Sequence, residues 1–127
     1  MQRALDWAGL RLGVVPVLIH STAAPEAVQA AQQQLGRERA GHLVEAAMAR
    51  IAQGLVARGV RRLVVAGGET SGAVMQSLGV GGLRVGAEID PGVPWTASIG
   101  EPALLLALKS GNFGAEDFFT RAFGKLA

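Results

Sequence analysis

Two short segments carry the residue types from which a phosphate site can be built. Gly67-Gly68-Glu69-Thr70-Ser71-Gly72 follows the apolar run Arg62–Ala66, and Lys109-Ser110-Gly111-Asn112-Phe113-Gly114 closes the apolar run that begins at Ala103. In the first segment, glycines without β-carbons let backbone N–H groups approach an anion, and a helix starting near Ser71 adds partial positive charge. Thr70 and Ser71 can cap that helix or donate hydroxyls to phosphate oxygens. Glu69, an acid beside such a turn, suits a magnesium ion or a ribose hydroxyl better than bare phosphate. In the second segment Lys109 supplies a point charge, Gly111 lets backbone or a flat base come close, and Ser110 and Asn112 are neighbours on geometric grounds.

Taken alone, these segments leave plainer readings open. The GGETSG run lacks the lysine of a Walker A loop and does not have GxGxxG spacing. Its glycines can equally serve only to turn a strand into a helix, and Lys109 can simply cap a strand edge. Between the two segments, Asp90-Pro91-Gly92 reads as a turn and Trp95 as a packing residue.

The elements that must position these residues follow from periodicity. Met1–Leu12 places Leu5, Ala8 and Leu12 at helical spacing, and Val14–His20 is a β-branched run of the buried-strand type with Pro16 inside it. Helices are expected over 26–35 and, from the four-residue recurrence of Leu43, Ala47, Ile51 and Leu55, over 37–58. Arg62–Ala66 reads as a buried strand, Ala73–Leu78 as a short helix, and Leu83–Ile89, Pro94–Ile99 and Ala103–Lys109 as strands. A last helix is expected over 115–123, with Glu116 and Asp117 favourably placed in its first turn. This alternation predicts an α/β, layered Rossmann-like domain with a mixed, partly parallel sheet flanked by helices.

Composition narrows the function classes. The chain has 127 residues, enough for one domain, and half of them are hydrophobic. Glycine contributes 18 residues, well above a typical ~7%, and twelve of these lie at or after Gly67. The net charge is +2, but only Arg61-Arg62 are adjacent cations, so no phosphate-tracking stripe for nucleic acid is present. There is no cysteine, and His20 and His42 do not form a ligand pair, so no metal-ligand set is read from the sequence. No signal peptide and no membrane-spanning run are recognisable, which makes the cytoplasm the expected location.

Three segments together resemble a known family. VVAGGETSGAV at 64–74, VGAEIDPGVPW at 85–95 and LALKSGNFGAEDFF at 106–119 are similar to the C-terminal nucleotide-binding domain of the four-carbon acid sugar kinases. That family was formerly catalogued as a domain of unknown function, and some members carried a Hrp-dependent type III effector label. The resemblance implies an ATP site in which Gly68, Glu69, Thr70 and Ser71 line the phosphates and Gly111 contacts the nucleotide. It also implies phosphorylation of tetronate or 3-oxo-tetronate acids, with the acid held by a separate N-terminal domain.

Residues 1–127 are thus expected to be most of a C-terminal nucleotide-binding domain that lacks the sugar-acid domain and the family's earlier serine-containing strand. The expected ligand is ATP with Mg2+, and Gly67, Lys109, Ser110 and Asn112 join the five family positions as candidate site residues. A chain of this extent is expected not to transfer phosphate alone, because donor and acceptor must be held in line. No catalytic residue is nominated. The sugar acid would be met only through the missing domain, and an exposed apolar face could drive homodimer formation. The alternative is a stand-alone nucleotide-sensing or protein-interaction module without catalysis.

Overall fold

The computed structural model describes residues 1–126. The elements are α1 (Gln2–Gly9), α2 (Pro25–Leu35), α3 (Arg37–Ala57), β1 (Arg62–Ala66), α4 (Gly68–Ser77), β2 (Leu83–Asp90), β3 (Val93–Ser98), β4 (Leu105–Lys109) and α5 (Phe118–Gly124). The strands form one sheet in the order β1-β4-β3-β2. β1 runs parallel to β4, whereas the β4–β3 and β3–β2 pairs are antiparallel. The α/β class and the mixed sheet agree with the sequence expectation.

Side chains on the strands alternate between two covered faces, as a period-two backbone requires. Leu63 and Val65 of β1 and Leu106 of β4 pack on one face against Ala52 of α3 and Val74 of α4. On the opposite face Ala107 of β4 and Trp95 of β3 pack against Phe118 and Ala122 of α5. Phe118, Leu106 and Val93 are the largest side chains that are fully buried. Burying such a side chain stabilises the fold by roughly 1.5–3 kcal/mol, and the three divide between the two faces, Leu106 on one and Val93 and Phe118 on the other.

The N-terminal elements are held much more loosely. Leu5 and Ala8 are the buried residues of α1, α2 buries none, and the buried residues of α3 begin only at Ala49. Pro25 stands in the first turn of α2, where its missing N–H costs nothing, and Gly36 both ends α2 and precedes α3.

Three sequence expectations are corrected. Val14–His20 forms no strand, and Val14 and Leu18 are exposed. A strand exists only through a ladder partner, and none of the four strands pairs with this run, where Pro16 also removes a donor. α4 begins at Gly68 rather than Ala73, so the glycine-rich run is the first turn of the helix and not a loop before it. α5 begins at Phe118, three residues late, because the chain is still turning at Gly114 (φ +96°).

Candidate functional site

The two glycine-rich segments meet at one end of the sheet. β1 and β4 are hydrogen-bonded neighbours in parallel, with Ala66 opposite Lys109, so both chains leave the sheet at the same edge. The Gly67 N–H donates to the Lys109 carbonyl at 2.8 Å, and a β-carbon on Gly68 would lie 3.7 Å from that of Ser110. From there the chains part. α4 packs on one face of the sheet and α5 on the other. Adjacent parallel strands whose following helices go to opposite faces open a crevice outside the carboxyl ends of the strands, where open α/β sheets bind ligands.

The first junction is a single residue long. Gly67 has φ +104°, a conformation that side chains rarely adopt, and it turns the chain from β1 directly into α4. The first intrahelical bond runs from the Ser71 N–H to the Gly67 carbonyl at 2.8 Å. The N–H groups of Gly68, Glu69 and Thr70 therefore have no helical acceptor, and no side chain caps them. An anion outside Gly68 would complete this helix end. Gly68 is not needed for packing, since a β-carbon there meets protein only at ordinary contact distance. Its lack of a side chain keeps the approach to those N–H groups open.

The side chains of this turn divide into two groups. Glu69 is exposed in the first turn, where an acid is also favoured by the helix dipole. Thr70 is half-buried, with its hydroxyl beside Gly67. Ser71 is buried, and its hydroxyl donates to the Val65 carbonyl at 3.5 Å. With its N–H engaged by the Gly67 carbonyl, Ser71 supports the strand-to-helix turn from beneath.

The second junction takes eight residues, 110–117, between β4 and α5. The Lys109 ammonium donates to the Gly111 carbonyl at 2.7 Å, which folds the loop back on its own strand and leaves two further donors on the ammonium. Ser110, Gly111 and Asn112 are exposed next to the first junction. Phe113 lies beyond them, 55% exposed, with its ring near Gly111 and Gly92.

Sequence reasoning missed the group that ties this loop down. Asp90, read as a turn former, accepts the Ala115 N–H at 3.1 Å and pairs through its other oxygen with Arg121 of α5. The turn is served instead by Glu88, which accepts the Gly92 N–H at 3.3 Å. The Arg121 guanidinium first, and the Ala115 amide second, hold the Asp90 carboxyl below its ordinary range. The separation of 25 residues from Asp90 to Ala115 and 31 to Arg121 left no local signal to find. Trp95 is 4% exposed, with its indole N–H on the Ala122 carbonyl at 2.8 Å, so it packs as expected and offers no face to a base.

Comparison with known proteins places this arrangement. A family model described as a nucleotide-binding C-terminal domain matches residues 1–119, which include all three segments behind the family resemblance. A 3-oxo-tetronate kinase of Pseudomonas fluorescens is 58% identical over 127 residues, covering all of this chain and 29% of that protein. A 3-oxo-tetronate kinase of Pseudomonas savastanoi pv. phaseolicola is 62% identical over 111 residues, covering 87% of this chain and 26% of that protein. The crystal structure of a Haemophilus influenzae protein superposes with a TM-score of 0.89 at 40% identity, covering 99% of this chain and 31% of that one. The chain therefore spans less than a third of the length of these relatives.

Proposed function

Because the chain belongs to the family of nucleotide-binding C-terminal domains, we propose that it is the ATP-holding part of a kinase for four-carbon acid sugars of the 3-oxo-tetronate type. The observation that carries this reading is the crevice between α4 and α5, where three uncapped N–H groups at Gly68, Glu69 and Thr70 stand beside the loop of Ser110, Gly111 and Asn112. The kinase names of the relatives supply the reaction class and the acid. In this reading residues 1–127 act as one domain, and the acid and the base for its hydroxyl belong to the part of such a kinase that lies outside them.

The residues of this chain bind and orient the donor. Backbone N–H groups of α4 take the terminal phosphates, with Thr70 at the rim. Lys109 brings positive charge from β4, and Gly111 admits the nucleotide close to the backbone. Among the described residues no group of three or more acidic or histidine side chains could cage a metal. Magnesium would thus be held chiefly through phosphate oxygens with Glu69 as the nearest exposed carboxylate, a donor set that suits an ion which binds through one or two carboxylates plus phosphates. When bound, it supplies neutralisation of phosphate charge as the transfer proceeds. No helix among the described residues is long and apolar enough to cross a membrane, and a cytoplasmic location completes the proposal. The apolar side chains exposed along residues 14–44, such as Val14, Leu18 and Leu43, support a covering lobe or a second copy there.

A thermal-shift titration with Mg-ATP tests this reading. A ligand at about 100 times its Kd stabilises the fold by about 2.7 kcal/mol, which gives a clear rise in Tm. Gly68→Val should abolish the rise by filling the approach to the N–H groups. No rise at millimolar nucleotide for the unaltered chain would contradict the proposal.

A further inference from the structure

The loop at 110–117 has no regular secondary structure, yet it must hold Gly111 and its neighbours against the α4 turn. Its far end is tied to α5 by local bonds, the Phe118 N–H to the Ala115 carbonyl and the Thr120 hydroxyl to the Asp117 carbonyl, and to the sheet by one side chain. Asp90, 11% exposed, uses one carboxylate oxygen for the Ala115 N–H and the other for Arg121 of α5. Gly114 makes this approach possible. It has φ +96°, and a β-carbon there would come within 3.1 Å of the Asp90 carboxylate and 2.9 Å of the Phe118 ring. At the near end the side-chain tie among the described residues is Lys109 to the Gly111 carbonyl, which lies within the loop's own strand end. Asp90 therefore joins three elements, the β2 end, the loop and α5. Phe113 extends the same contact, because its ring lies over the Gly92 turn that follows Asp90.

We propose that Asp90 is a positioning residue for the nucleotide, holding the loop from Ser110 to Ala115 in the conformation that faces the α4 turn. The proposal rests on the nucleotide reading above. Its chemistry is specific: the role needs first an acceptor for the Ala115 N–H, with the charge opposite Arg121 as a secondary support. A residue that serves only as an ion-pair partner would need the second alone.

Three variants separate these roles, each measured by amide hydrogen exchange of the free chain and by calorimetric titration with Mg-ATP. Asp90→Ala should speed exchange at Ala115 by about tenfold or more while Leu63–Val65 in β1 stay protected, and should weaken nucleotide binding by a similar factor, the size expected for a hydrogen bond to a charged group. Asp90→Asn keeps an oxygen for the Ala115 N–H and should fall closer to the unaltered chain in both readouts. Asp90→Arg combined with Arg121→Asp restores an ion pair but offers Ala115 no acceptor, and should behave like Asp90→Ala. Rescue of loop protection and affinity by that charge swap would overturn the proposal, as would unchanged loop exchange and affinity in Asp90→Ala. If the unaltered chain binds no Mg-ATP while Asp90→Ala still frees the loop, the nucleotide reading has failed and the role toward a nucleotide falls with it.

Discussion

The two junctions that follow β1 and β4 occupy equivalent places at the sheet edge but are built on opposite plans. The first is one residue of left-handed backbone, Gly67, running directly into α4. Its geometry is fixed by the strand and helix it joins, so the three uncapped main-chain N–H groups it presents need no further support. The second spans eight residues before α5 starts. Such a loop carries conformational freedom that must be removed before it can present anything, and here a side chain from a different hairpin removes it. Short junctions are preorganised by the fold, whereas long ones borrow rigidity from elsewhere.

The most damaging way to break this contrast is to remove the anchor of α5. Phe118 is 1% exposed between Trp95, Ala122 and the sheet. Phe118→Ala should cost about 3–5 kcal/mol in a urea titration, by the usual penalty for emptying a buried aromatic site. Next in size, Gly67→Ala forces a side chain into φ +104° and should cost about 1–3 kcal/mol of stability. Gly68→Ala sharpens the comparison from the other side. A β-carbon there finds room in the protein, so stability should move by no more than about 0.5 kcal/mol, as for an ordinary surface change. Its nucleotide affinity should nonetheless fall. Equal stability losses at Gly67 and Gly68 would mean that both glycines serve the turn alone.

The smallest effect is one of pH. Asp90 has its carboxyl held below the ordinary 3.8 by Arg121 and the Ala115 amide, with Lys125 adding a minor attraction. A carboxyl with a lowered folded-state pKa contributes stability that is fully present above the unfolded value and is lost as pH falls through the folded one. The stability difference between the unaltered chain and Asp90→Asn should therefore be present at pH 6 and shrink as pH is taken below 3.8 in denaturant titrations. A difference that grows on acidification would assign the wrong sign to the pair.

Local pattern was enough for much of this architecture. Arg62–Ala66 and the strand ending at Lys109 were legible as apolar runs closed by glycine, and α3 as a four-residue stripe. The alternation of strand and helix implied a partly parallel sheet, but not that β1 and β4 are its parallel pair, which is what brings Gly68 beside Ser110. Two of the failures, at Val14–His20 and at Asp90, have their cause in long-range contacts. Val14–His20 has strand-forming residues but no ladder partner among the four strands. The α4 start was hidden because glycines argue against a helix interior, while a first turn tolerates them. Asp90 looked like half of a Pro-Gly turn, and its real partners stand 25 and 31 residues away. The residues named from motifs thus lie at the two junctions after β1 and β4, and Asp90, which contacts the second junction from the β2–β3 turn, carried no local signal.

The central claim is that one nucleotide bridges the two junctions. It is tested most directly by following backbone amide chemical shifts during titration with Mg-ATP. The account predicts that the largest shifts fall on Gly68, Glu69 and Thr70 and on Ser110 to Gly114, with both sets moving along one binding curve. Shifts confined to one junction, shifts on two separate curves, or none at all would contradict it.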